Sequence, residues 1–289
     1  MKSKILAILE ILLVYGMTRL LGGVMRSTGS TDWELQNLGW SYTGMAFFIS
    51  IPALVIWLTR RNWVEYGVTS LNWQINLDLG IQAYLIRLIP IGFFLGTLIW
   101  LKVDYRNFPG GCIVAIGEVL GITIMLLLLN RQRETKAISA ARSNVITTVL
   151  LFLFPIVLAL AMGRLSLIVV STVVWQLFFS GFGEEFVWRG YVQSRLNQAF
   201  GRPMRLFGIQ FGAGLIVASI LFGFFHAFNT YNPEIGLASL SWGWALFTTF
   251  SGLFFGILRE KTGSLLAPGI AHGLPDAVGE ALGRIFGWM

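Results

Sequence analysis

The sequence predicts an all-α, polytopic integral membrane bundle of eight or nine transmembrane helices, and three observations predict it. Hydrophobic residues make up 55% of the 289 residues and charged ones 12%, whereas soluble domains carry about 25% charge; the mean hydropathy is +0.72. Apolar runs recur at 4–24, 42–58, 81–101, 112–129, 147–163, 168–195, 208–228, 236–257 and 265–283, several of them near the ~20 residues a helix needs to cross ~30 Å of hydrocarbon. These runs are continuous, where a barrel strand would alternate, and a helix satisfies its own backbone polar groups in a solvent that offers no partner.

The first run follows Met1-Lys2-Ser3-Lys4 and begins like a signal peptide. Glu10 and Arg19 interrupt it and no Ala-x-Ala-like cleavage site follows, so it is expected to remain as the first span. Runs 42–58, 81–101 and 112–129 supply three more. Between them, residues 59–79 mix Trp and aliphatic side chains with charge, which suits a segment lying along the membrane interface. Glu10, Arg19, Arg87 and Glu118 intrude on these four spans; Arg can snorkel and Glu118 can pair with Arg87, so packing or pairing inside the bundle is expected of all four. A basic loop at 131–144, expected to be cytoplasmic, then separates residues 1–144, the N-terminal helices with their interfacial segment, from residues 145–289, the membrane core that holds the unusual polar residues. No repeat, low-complexity tract or long Gly/Ser linker divides the chain, so both parts belong to one continuous membrane domain.

Several function classes are excluded by composition. The single cysteine, Cys112, rules out an intramolecular disulfide and argues against a Cys-rich metal site. The formal charge of +7 comes from Lys and Arg in short loops, with no long basic stretch to track phosphates, so nucleic acid is not the partner. Topology explains the charge better. With nine spans and a cytoplasmic N-terminus, fourteen of the twenty-one basic residues fall in cytoplasmic segments, among them Arg60, Arg61, Arg131, Arg133, Arg189 and Arg195, as the positive-inside rule favours. Trp57, Trp100, Trp175 and Trp288 lie near run ends, as an aromatic belt would place them. Short loops without targeting extensions fit a prokaryotic cytoplasmic membrane.

Three constellations in the last third carry candidate chemistry. In Gly183-Glu184-Glu185-Phe186-Val187-Trp188-Arg189, helical spacing puts Glu185 and Arg189 on one face, where an ion pair neutralises both. Glu184 points about 100° away with no basic neighbour at helical spacing; a desolvated carboxylate without a cation suits a general base, although both acids at a water-exposed helix end would look the same in sequence. In Phe222-Gly223-Phe224-Phe225-His226, the histidine ends an apolar run, a position more often packed or interfacial than catalytic, and Asn229 can cap the helix or hold the imidazole. In His272-Gly273-Leu274-Pro275-Asp276, four-residue spacing lets the carboxylate fix the histidine's tautomer. Pro268 and Pro275 there either open a polar break or are merely tolerated kinks. The chain's only two histidines thus fall beside its only Glu-Glu pair. Such a group of carboxylates and imidazoles can activate water, polarise a carbonyl or hold a metal.

The three motifs, in this order, resemble the CAAX-processing and bacteriocin-processing family of intramembrane endopeptidases, also called CPBP or Abi, over roughly residues 145–285. The family's Glu-Glu-x-x-x-Arg, Phe-x-x-x-His and His-x-x-x-Asn/Asp helices appear as Glu184-Glu185…Arg189, Phe222…His226 and His272…Asp276. The resemblance implies a peptidase in which Glu184 and His226 activate water, His272 and Asp276 stabilise the oxyanion, and Glu185, Arg189 and Phe222 shape the site. It implies a membrane-tethered peptide or protein substrate within the lipid bilayer, and no required cofactor. A divalent metal such as zinc on Glu184, His226 and His272 is the option the residue types leave open. Two other classes share these residues: a proton-coupled transporter, and a catalytically silent scaffold or immunity member of the same fold. One geometric condition is attached. If the seventh helix starts at residue 208, His226 lies about 12 Å beyond its midpoint while Glu184 sits near the middle of its own run, and only tilt, a kink at Gly223 or a later start brings them level.

Overall fold

The computed structural model describes residues 2–129, 134–232 and 234–288. The chain is helical almost throughout: α1 Lys2–Ser27, α2 Asp32–Leu38, α3 Tyr42–Leu58, α4 Trp73–Leu101, α5 Phe108–Leu129, α6 Glu134–Ser139, α7 Ala141–Ala161, α8 Leu167–Val174, α9 Ser194–Phe200, α10 Ala213–Ala227, α11 Trp242–Thr262 and α12 Leu266–Phe286. Turns of π-helix over Trp175–Glu184 and Phe186–Gln193 join α8 to α9, so Leu167–Phe200 forms one rod. Widened turns of this kind are uncommon and often mark functional segments. A two-stranded antiparallel hairpin, β1 Met204–Leu206 with β2 Ile209–Phe211, connects the rod to α10.

Among the described residues, six helices are long and apolar enough to cross a membrane: α1, α4, α5, α7, the rod and α10 with its following turn. The pair α2 and α3, bent by 118°, makes a seventh if taken as one broken span. This is fewer than the eight or nine expected, and the difference has a physical source. Helices α11 and α12 sit in the middle of the bundle, where their polar side chains face protein; Ser251, Arg259 and His272 are buried. The residues that lower their hydropathy are the ones they bring to the interior.

Other expectations need correction. Residues 73–79 of the supposed interfacial segment are the first turns of α4, preceded by a short 3-10 turn at Trp63–Tyr66. The basic loop is largely helical, in α6 and the start of α7; its Arg131 and Arg133 lie outside the described residues. Arg189, counted among the cytoplasmic cations, is fully buried, because its partner Glu185 is too.

Packing forms a closed circuit: α10 on α11, α11 on α5, α5 on α4, α4 on α12, and α12 on the π-helical part of the rod. On the far side of the rod, α1 and α3 contribute Ile11, Val14, Phe48 and Ile56 to an apolar cluster with Trp188, Tyr191 and Phe222. The α12 contact is backbone to backbone: a Cβ on Gly181 would lie 2.5 Å from the Cα of Gly273, so only glycine lets the two helices meet there. Buried charges are paired as expected for the first spans. Arg87 Nε donates to Glu118 Oε1 at 2.7 Å, and Ser251 bonds both residues. Glu10 accepts from Arg61, Tyr191 and Arg195. Arg19 has no acidic partner among the described residues and lies instead over the rings of Phe225 and Phe228, at 5.5 and 5.2 Å.

Candidate active site

The expected helix at 208–228 begins at Ala213, because residues 204–211 turn back as the hairpin. The N–H of Gly214 donates to the side-chain oxygen of Asn197 at 3.2 Å, tying the start of α10 to the end of the rod. From that anchor, Glu184 lies thirteen residues back along the rod and His226 twelve residues on along α10. The two stretches pack against each other in opposite directions and have matching lengths, so the side chains arrive level. His226 Nε2 stands 3.7 Å from Glu184 Oε2.

The orientation of His226 is set by its own helix. Its Nδ1 lies 2.8 Å from the carbonyl oxygen of Phe222. A carbonyl only accepts, so Nδ1 carries a proton, and in the neutral ring the lone pair is then on Nε2, which faces Glu184. The side chain of Asn229 does not hold the ring. At 3.7 Å the two groups are too far apart for a direct hydrogen bond, yet both can touch one water molecule. Glu184 is 5% exposed, and its Oε2 is buried with no protein hydrogen-bond partner.

Glu185, one residue on, faces a different neighbourhood. Its Oε1 accepts from His272 Nδ1 at 2.9 Å and lies 3.0 Å from Arg189 Nη1. Glu185 and Arg189 are both 0% exposed. The guanidinium is not aligned for a hydrogen bond to its partner; it lies 4.2 Å from the centroid of Phe222 and 5.3 Å from that of Phe255, so aromatic faces supply part of its stabilisation. The other nitrogen of His272, Nε2, stands 3.4 Å from Asp276 Oδ2. The ring is stacked on Phe255, centroids 4.7 Å apart, with Phe222 edge-on at 5.9 Å. Phe222 therefore meets Arg189 and both histidines with one ring, and its carbonyl sets the tautomer of His226.

All seven residues singled out in the sequence come to this one region. Phe255 was missed, since a phenylalanine in an apolar run rich in phenylalanine carries no distinguishing signal. The donor set does not fit the three-ligand metal option. His272 has a carboxylate oxygen facing each nitrogen, which leaves it no free lone pair for a metal, and among the described residues no three His, Cys, Asp or Glu side chains are placed to hold one. Beyond His272 and Asp276, four-residue spacing continues along α12 through Glu280 to Arg284, both partly buried. A polar stripe thus runs from the site to the C-terminal end of that helix.

Among curated proteins and among solved structures, no significant match to the chain was found. A family model described as "Type II CAAX prenyl endopeptidase Rce1-like" matches residues 165–278, the stretch that contains all three motifs. Over residues 165–278 the chain is thus similar to the Rce1-like type II CAAX prenyl endopeptidases, and that stretch holds Glu184, Glu185, Arg189, Phe222, His226, His272 and Asp276.

Proposed function

We propose that this chain is an intramembrane endopeptidase that hydrolyses a peptide bond of a membrane-associated peptide or protein with water activated by Glu184 and His226. The observation that carries the reading is the opposition of Glu184 Oε2 and His226 Nε2 across 3.7 Å. One acceptor has no protein partner and the other has its lone pair fixed by the Phe222 carbonyl. A water held between them donates one hydrogen to each and turns an oxygen lone pair toward a substrate carbonyl. As that oxygen attacks, Glu184 takes a proton and later delivers it to the departing amide nitrogen, so each turnover consumes one water and releases a carboxylic acid and an amine. His272, held at Nδ1 by Glu185, would act as the imidazolium, its Nε2–H shifting from Asp276, whose 3.4 Å separation is longer than a good hydrogen bond, to the developing oxyanion. Glu185 and Arg189 keep His272 in place. No step requires a metal.

The test is cleavage of a lipid-anchored reporter peptide by purified protein in detergent or liposomes. Glu184→Gln is expected to abolish cleavage while the protein stays folded. Loss of a proton-coupled flux in liposomes, with no peptide ever cut, would instead establish the transporter reading. A cellular phenotype that survives Glu184→Gln combined with His226→Ala would establish the scaffold reading.

A further inference from the structure

No step of the proposed hydrolysis uses the buried pair of Arg87 on α4 and Glu118 on α5, and neither residue falls within the family-matched stretch. Glu118 is 0% exposed and Arg87 8%. Taking two charges out of water costs about as much as their attraction returns, so such a pair is a poor source of stability and a better device for fixing one arrangement. The arrangement it fixes lies on α11. Phe247, Ser251 and Phe255 recur there at four-residue spacing and share one face. Arg87 spans all three: its guanidinium lies over Phe247 at 5.9 Å and over Phe255 at 4.9 Å, and its Nη2 donates to Ser251 Oγ at 3.1 Å. Glu118 Oε1 accepts from Arg87 Nε at 2.7 Å and from the Ser251 hydroxyl, which closes the triangle. Its other oxygen, Oε2, is buried with no hydrogen-bond partner among the described residues, so the carboxylate is aligned for Arg87 and Ser251 at the expense of its own solvation.

Phe255 carries this arrangement to the site. The ring that Arg87 covers is the one on which His272 is stacked, with centroids 4.7 Å apart and planes inclined by 14°. Both ring nitrogens of His272 face carboxylates, Glu185 and Asp276, so the influence of Arg87 arrives through the flat contact with Phe255. We propose that Arg87 and Glu118 are positioning residues of the active site: they clamp the Ser251–Phe255 turn of α11, and Phe255 sets the plane of the His272 ring. The proposal rests on the endopeptidase reading, in which His272 Nε2–H meets the oxyanion. Glu185 fixes one nitrogen, but a single hydrogen bond leaves a ring free to tilt about it. The stacked face removes that freedom, and a catalytic group must stay within about 0.5 Å of its productive position. Two helices outside the family-matched stretch thus aim a donor that lies inside it.

The experiment uses full-length protein in detergent micelles and follows the imidazole nitrogens by NMR after isotopic labelling of histidine. His226 and His272 are the only histidines in the chain, so two rings are seen, and His226→Gln assigns them. Arg87→Met combined with Glu118→Leu removes both charges together and is expected to fold. In that variant the His272 resonances should move while those of His226, held by the Phe222 carbonyl, stay near their wild-type positions. A displacement of about 1 Å can lower turnover about a hundredfold, so kcat is expected to fall about ten- to a hundredfold with KM within about twofold. Phe255→Leu should produce the same changes, and adding the charge-removing pair to it should produce no more, because the two act through one ring. Unmoved His272 resonances, equal movement of both histidines, or full additivity with Phe255→Leu overturns the proposal. If the double variant does not fold, Ser251→Ala replaces it: loss of the shared hydroxyl should move the same His272 resonances by less, and silence there is equally fatal. The resonances report on the ring whether or not a peptide is cut. Movement of His272 without cleavage by any protein refutes only the endopeptidase reading, and cleavage with kcat unchanged in the folded double variant refutes only the positioning role.

Discussion

The adjacent acids Glu184 and Glu185 should answer the same substitution in opposite ways. Glu185 is fully buried with Arg189 at 3.0 Å and His272 at 2.9 Å, so Glu185→Gln leaves a guanidinium sealed among aromatic rings with no carboxylate of the described residues at ion-pair distance. Breaking a buried pair from one side costs about 3–5 kcal/mol. Glu184 has no cation at pairing distance other than the neutral-facing edge of His226, and its Oε2 lacks any protein hydrogen bond; an isosteric amide there should change stability by less than about 1 kcal/mol. The expected outcome is a gap of about 3 kcal/mol between neighbouring positions, measured by reversible unfolding in mixed micelles, with activity lost in both. A double variant, Glu185→Leu with Arg189→Met, removes the stranded charge and should regain much of the stability without regaining activity. Equal destabilisation at the two positions, or a double variant as unstable as the sum of its singles, would refute the division between a reacting and a supporting glutamate.

Three further outcomes follow from the geometry. Gly181→Ala inserts a methyl 2.5 Å from Gly273 Cα and should cost about 1–3 kcal/mol by forcing α12 off the rod, lowering kcat through displacement of His272; unchanged unfolding and turnover would mean the helices yield freely there. Asn197→Ala removes the bond to Gly214 N and that to Glu260 and should cost about 1–2 kcal/mol. It should also reduce kcat although the residue is thirteen positions from Glu184, and full kcat in the folded variant would show that the anchor does not set the register. Chelation should leave peptide cleavage intact, since no metal takes part in the proposed water activation; loss of cleavage that is restored by added zinc would replace that chemistry.

The pairings within single helices were more legible than the architecture around them. Motifs of the form Glu185…Arg189 and His272…Asp276 operate within one helix, where four-residue spacing dictates adjacency, and the structure shows both pairs at 3.0 and 3.4 Å. Their convergence with His226 was not readable, because it depends on where α10 starts. Residues 204–211 include Leu206, Phe207, Ile209 and Phe211, apolar enough to look like helix, and only the pairing of Met204 with Phe211 and Leu206 with Ile209 reveals a hairpin. The pairing of Arg87 with Glu118 was foreseen from intramembrane charge balance, whereas Ser251, which joins them from α11, had no sequence signal. His272, Asp276, Glu280 and Arg284 lie on α12 and lower its hydropathy, so it falls outside the six helices apolar enough to cross a membrane even though the sequence counted it as a run.

The polar stripe on α12 has a consequence for physiology. It descends from His272 to Arg284 at the helix end that neighbours the loop at 161–167, where Arg164 bonds the carbonyl of Ile285, and the side chain of Asp276 on it is 36% exposed. Elsewhere in the bundle Tyr66, Tyr191, Glu10, Arg61 and Arg195 interlock through hydrogen bonds and ion pairs. If the chain works as proposed, protons reach His272 along this stripe from the Arg284 end of α12, so the pH on that side of the membrane would set the charge of the site.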